Sequence, residues 1–148
     1  MSTPHLIRHG EAVRLPVFGT EVEVLVDGTT SHGESAVYRV TAAPGVGAPL
    51  HRHTREAEMF HGLEGEFELV CGDTAVRLGP GDFAFAPRGV AHRFTCTSAT
   101  PARMVVFSTP AGHERFFQDC AAAIADGTFG PETGAAICAR HGIELLGP

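Results

Sequence analysis

The 148-residue chain has no lysine, no tryptophan and a single tyrosine, and it contains no basic run. Eleven arginines stand against seventeen acidic residues, for a formal net charge of −6. Such a surface does not select a phosphate backbone or an anionic membrane, so neither is expected as a partner. No apolar run approaches the ~20 residues that span a bilayer. The N-terminal stretch MSTPHLIRHGEAVR lacks an apolar core of signal-peptide length, so a cytoplasmic location is expected. The four cysteines, Cys71, Cys96, Cys120 and Cys138, form no C-x-x-C pair. That argues against a zinc ribbon, a redox motif or a dense disulfide scaffold, and four reduced thiols are expected. There is no G-x-x-x-x-G-K-[ST] phosphate loop and no G-x-S-x-G nucleophile elbow.

What is abundant is turn chemistry and histidine. Eighteen glycines and ten prolines cut the chain into short segments, which favours an all-β sandwich or barrel over a helical bundle. Extended segments are expected at 22–26, 35–41, 59–63, 66–70, 74–78, 82–86, 92–97 and 103–108, each rich in β-branched or aromatic residues and separated by turn signals. After Pro110 the period changes: Phe116, Phe117, Cys120, Ala123 and Ile124 recur at helical spacing, with Gly127 placed as the stop. A second helix is expected from Pro131 to about His141, ended by Gly142. The length suits one domain, 1–148, with a barrel core at about 17–109 and a helical segment at about 112–142.

Nine histidines exceed the usual share severalfold, and three fall into a pattern. After Gly45 come five residues, His51, one residue, His53, four residues, Glu58, six residues and Gly65. Residues two apart on a strand share a face, so His51 and His53 point the same way, and Glu58 returns to that face from the next strand. A second set follows: Gly81, five residues, Pro87, one residue, Gly89, two residues, His92. Its turn residues deliver His92 to the start of a strand as a fourth donor. Three imidazoles and one carboxylate suit one divalent transition metal (Fe, Mn, Ni, Co, Cu or Zn) with one or two coordination positions open.

These two sets resemble the paired signature motifs of the cupin superfamily. PLHRHTREAEMFHGLEGEFEL is similar to the first motif and GPGDFAFAPRGVAHRFT to the second. Nine fixed positions arise by chance on the order of 10⁻¹⁰ per start. The flanks TPAGHERFF and HGIELLGP resemble those of small bacterial monocupins of the quercetin-dioxygenase-like group. The resemblance implies an all-β double-stranded β-helix, or jelly-roll, with two short C-terminal helices, metal on His51, His53, Glu58 and His92, and a homodimer. It implies first an O2-using dioxygenase acting on a small aromatic or enolisable molecule, flavonol- or polyketide-like. A non-oxidative polyketide cyclase or isomerase is the alternative, and a small-molecule-binding cupin without catalysis the third reading. The second motif usually ends in asparagine where this chain has Cys96.

A ligating glutamate also takes protons, so Glu58 is the expected catalytic base. Phe60 and Phe94 share strand faces with Glu58 and His92 and are the first candidates for a substrate pocket, followed by Phe85 and Met104. Glu56 is expected to be a solvated loop charge, and His61 to lie on the face opposite Glu58. His5, His9, His32, His113 and His141 are expected in solvent, and Arg39, Arg88 and Arg93 in surface ion pairs.

Overall fold

The computed structural model describes residues 3–147. Eleven strands and two helices follow one another: β1 Val13–Val17, β2 Thr20–Val26, β3 Ala36–Ala42, β4 His51–His53, β5 Ala57–Glu64, β6 Phe67–Cys71, β7 Thr74–Leu78, β8 Phe83–Ala86, β9 His92–Cys96, β10 Ala102–Thr109, α1 His113–Ala125, α2 Pro131–Arg140 and β11 Ile143–Leu145. They form two antiparallel sheets, ordered β1-β2-β3-β10-β5-β8 and β11-β4-β9-β6-β7. This is the expected jelly-roll, with both helices where the periodicity placed them.

Period-two alternation decides which side chains face inward. Along β3 the buried residues are Ala36, Tyr38, Val40 and Ala42, and along β10 they are Ala102, Met104, Val106 and Ser108. Phe67 and Leu69 of β6 enter the same core from the facing sheet. Each fully buried Phe or Leu contributes about 1.5–3 kcal/mol.

Alternation also corrects the expectation for one pocket candidate. On β8, Ala86 sits opposite Glu58 and Ala84 opposite Phe60, so the two alanines share the inward face. Phe85, opposite Met59, is left on the outer face and is 56% exposed. His61 is likewise on the outer face, opposite Phe83.

Two strands at the site are only three residues long, and close backbone contacts hold them. The loop before β4 lies directly on β9: Gly45 N donates to Cys96 O at 2.9 Å and Ala48 N to Phe94 O at 3.0 Å. Gly47 is required there, because a Cβ would sit 1.8 Å from Phe94 O. On its other side β4 pairs with β11, Ile143 opposite His53 and Leu145 opposite His51. Helix α1 is fixed at its start by Glu114. Its buried carboxylate accepts from Gly28 N at 2.8 Å and from Gly112 N at 2.7 Å.

Candidate metal centre

The two sheets supply different donors. On β4, exposed Arg52 separates His51 and His53, which are 8% and 1% exposed. His92 opens β9 directly opposite His51. The second motif is tied to the first through Gly89, whose N–H donates to His53 O at 2.9 Å. Glu58 comes from β5 of the facing sheet, where it pairs with Ser108. One ligand atom from each of His51, His53, Glu58 and His92 lies within 4.8 Å of the others, and all four residues are buried.

The outer hydrogen bonds settle how the imidazoles present themselves. His51 Nδ1 donates to Pro49 O at 2.7 Å and His92 Nδ1 to Val90 O at 3.2 Å. A carbonyl only accepts, so each of these rings carries a proton on Nδ1, and Nε2 is the nitrogen turned toward the other donors. His53 Nδ1 lies 3.3 Å from Glu56 Oε2. The Nε2 atoms then converge: His51 to His53 at 3.2 Å, with Glu58 Oε2 at 3.2 Å from His53 Nε2 and 2.8 Å from His92 Nε2. Nitrogen and carboxylate donors converging in this way can share one cation. The donor set, its burial and the outer partner on each imidazole fit a single divalent transition metal.

Without the ion, electrostatics divides the imidazoles. Burial, reinforced by neighbouring His92, lowers His51 to about 4. Burial opposes charge on His53 too, but Glu58 and Glu56 outweigh it and lift that ring to about 9. Burial alone would raise Glu58, yet His53 and the other histidines hold it well below the ordinary carboxylate range.

The carboxylate of Glu58 has two distinct sides. Oε2 faces the histidines, while Oε1 accepts from Tyr38 OH at 2.8 Å and from Ser108 Oγ at 3.5 Å. Tyr38 is itself fully enclosed, and burial together with the Glu58 charge raises its phenol well above the usual value.

Three residues near the ligands depart from the sequence expectations or escaped them. Glu56 is not solvated: it is 4% exposed and bonds to His53. Tyr38 lies outside both motifs, but a lone tyrosine on the inward face of an alternating strand needs a partner for its hydroxyl. His113 is not in solvent either. It is 5% exposed, lies edge-on to His53 with ring centroids 4.4 Å apart, and stacks on Phe116. The signal for His113 was available, because His113, Phe116, Phe117 and Cys120 occupy positions i, i+3, i+4 and i+7 of α1. Ile124, assigned to the same helical stripe, is 40% exposed and lies off it.

The ligands open onto a cavity of about 620 Å³. His51 and Glu58 line it at the metal end, with Tyr38, Phe60 and Phe94 along the barrel. Helices α1 and α2 close over it with Phe116, Phe117, Cys120 and Cys138, joined by Phe129 from the loop between them. Met104, fully buried, fills the core and is not part of this lining. Cys96 is buried beside Ser98 and Thr100 and does not line the cavity either. All four cysteines are free. Of the three arginines, Arg39 pairs with Glu23 at 2.9 Å.

A two-sheet jelly-roll carrying three histidines and one glutamate around a buried metal position defines a class of metal-binding barrel. The cupin-domain family model matches residues 38–108, which contain both motifs, and the fold is that of the cupins. Quercetin 2,3-dioxygenase of Bacillus subtilis (strain 168) is 30% identical over 96 residues, 64% of this chain and 28% of that protein. The chain therefore spans well under half of that relative's length. Among solved structures, KdgF from Halomonas sp. superposes with a TM-score of 0.69 at 18% identity, covering 76% of this chain and 99% of its own. The polyketide cyclase RemF from Streptomyces resistomycificus gives a TM-score of 0.62 at 24% identity, covering 72% and 80%. At these identities the structural likenesses show the fold alone. Among the described residues, no helix is long and apolar enough to cross a membrane.

Proposed function

We propose that the protein is a metal-dependent dioxygenase acting on a small aromatic or enolisable molecule. The observation that carries this reading is the opening of the four-donor cluster onto a large cavity walled mainly by aromatic and aliphatic side chains. The likeness to a quercetin dioxygenase supports it. The cavity volume suits a flat molecule of a few fused rings. When bound, the metal supplies Lewis-acid activation of an ionising hydroxyl and, if redox-active, access to O2.

The chain's own residues do the rest. The phenylalanines bury the rings of the ligand and keep bulk water from the reacting end. Glu58 is both ligand and base: Oε2 takes the hydroxyl proton of the substrate while Oε1 stays anchored by Tyr38 and Ser108. Tyr38 is thus a positioning residue, which keeps the carboxylate from swinging away as its charge changes.

A second reading, non-oxidative cyclisation or isomerisation, is favoured by the same Tyr38–Glu58–Ser108 network, which can hold and return a proton with no oxidant. Oxygen consumption separates the two. The test is O2 uptake by protein loaded in turn with iron, manganese, nickel, cobalt or copper and offered quercetin or a simpler enolisable ketone. Metal-dependent uptake stoichiometric with substrate loss supports the dioxygenase. Turnover that continues unchanged without air overturns it in favour of the second reading.

A further inference from the structure

We propose that His113 is a substrate-contacting residue, reaching from the helical cap to hydrogen-bond a polar group of an aromatic ligand held at the metal centre. The inference rests on the aromatic-ligand reading above and adds to it the residue that fixes the ligand's orientation. His113 lines the same cavity as His51 and Glu58 and comes from the helical segment, at the first position of α1, where it packs on the ligand His53.

Its placement is rigid. Glu114 ties the start of α1 to Gly28, and the imidazole is held among His53, Phe116 and Phe117, with centroids 4.4, 5.4 and 4.7 Å away. A ring required only for packing would be phenylalanine, like its two neighbours. Instead, a polar ring stands in an apolar wall with its hydrogen bonding incomplete. Nδ1 is fully buried and has no partner, and Nε2 is 3.8 Å from Glu58 Oε1, beyond hydrogen-bond length. Packing encloses Nδ1, so the nitrogen that a cavity ligand can reach is Nε2, which also has no hydrogen-bond partner in the protein. Polar atoms in a folded interior are almost always paired, and a ligand supplies the missing bond. His113 itself belongs to no ligand set, because the four donors converge without it. The helical segment thus supplies the polar contact that recognises the ligand, as well as a lid of phenylalanines.

The test uses the full chain loaded anaerobically with cobalt(II). The probes are 4-nitrocatechol, an aromatic diol whose visible spectrum changes on coordination, and azide, a small anion that needs only an open metal position. His113→Phe keeps the ring stack and His113→Leu keeps the bulk, so a folding defect in one still leaves the other. The expected result is a Kd for 4-nitrocatechol raised at least tenfold in the variants, with cobalt stoichiometry and azide affinity unchanged. Equal 4-nitrocatechol affinity in wild type and variant overturns the assignment of His113 alone. Loss of cobalt or of azide binding in the variants overturns it too, because His113 would then support the metal site. Failure of the wild-type protein to bind 4-nitrocatechol while it binds azide overturns the aromatic-ligand reading underneath.

Discussion

The two ends of the cavity are built on opposite terms. At the metal end every polar side chain has an outer partner: Pro49 for His51, Glu56 for His53, Val90 for His92, and Tyr38 with Ser108 for Glu58. At the helical end the wall is apolar apart from cysteine thiols and one imidazole, and that imidazole is incompletely bonded. The first end is preorganised around something small and fixed, the second around something larger that arrives and leaves. The proposed function needs both, because a ligand set held by surrounding hydrogen bonds keeps its geometry while the apolar wall changes occupant.

The comparison breaks most completely if the metal end is emptied. His53→Ala and His92→Ala each remove one of four donors, and both variants are expected to purify with almost no bound metal by mass spectrometry. Full occupancy in both would dissolve the distinction between the two ends. Next in size is the outer layer. Glu56→Gln leaves the ligands intact but replaces the carboxylate behind His53 with an amide, and metal affinity is expected to fall roughly 10–100-fold. An unchanged affinity would return Glu56 to an incidental role.

Tyr38→Phe is expected to retain metal and to lose about 1.5–3 kcal/mol of stability in urea, because a buried carboxylate oxygen gives up a hydrogen bond. If turnover is measurable it falls mainly in kcat, as befits a residue that positions the base. Loss of metal instead would assign Tyr38 to the ligand set. A further test is with pH. In the metal-free fold Glu58 and Glu56 keep His53 protonated up to about 9, whereas His51 is already neutral above about 4. Metal entering at neutral pH must therefore displace the proton of His53, and affinity should rise by about tenfold per pH unit until pH 9. Calorimetry in buffers of different ionisation enthalpy measures that proton, and release of none would contradict the electrostatics.

The same contrast sets what could be seen in the sequence. The metal end was legible because its geometry is local: two residues apart on a strand means one face, and turn residues at fixed offsets bring His92 alongside. The supporting layer was hidden for two reasons. Glu56 lies in the bend between β4 and β5, where no period says which way a side chain points. Strand β11 is three residues long, and only its pairing with β4 makes it a strand. Phe85 lies outside the cavity because β8 pairs with β5 through alanines on the inner face, a register that no single strand's sequence contains. His113 lay within the helical stripe of Phe116, Phe117 and Cys120. Its polar ring hides it there, because the apolar members of that stripe begin at Phe116.

The most direct test of the central claim is metal analysis by mass spectrometry of untagged protein purified without chelator. The account predicts about one transition-metal ion per chain, removed by dialysis against a strong chelator and restored by a single divalent equivalent. A protein that stays empty after soaking with each candidate ion would contradict it.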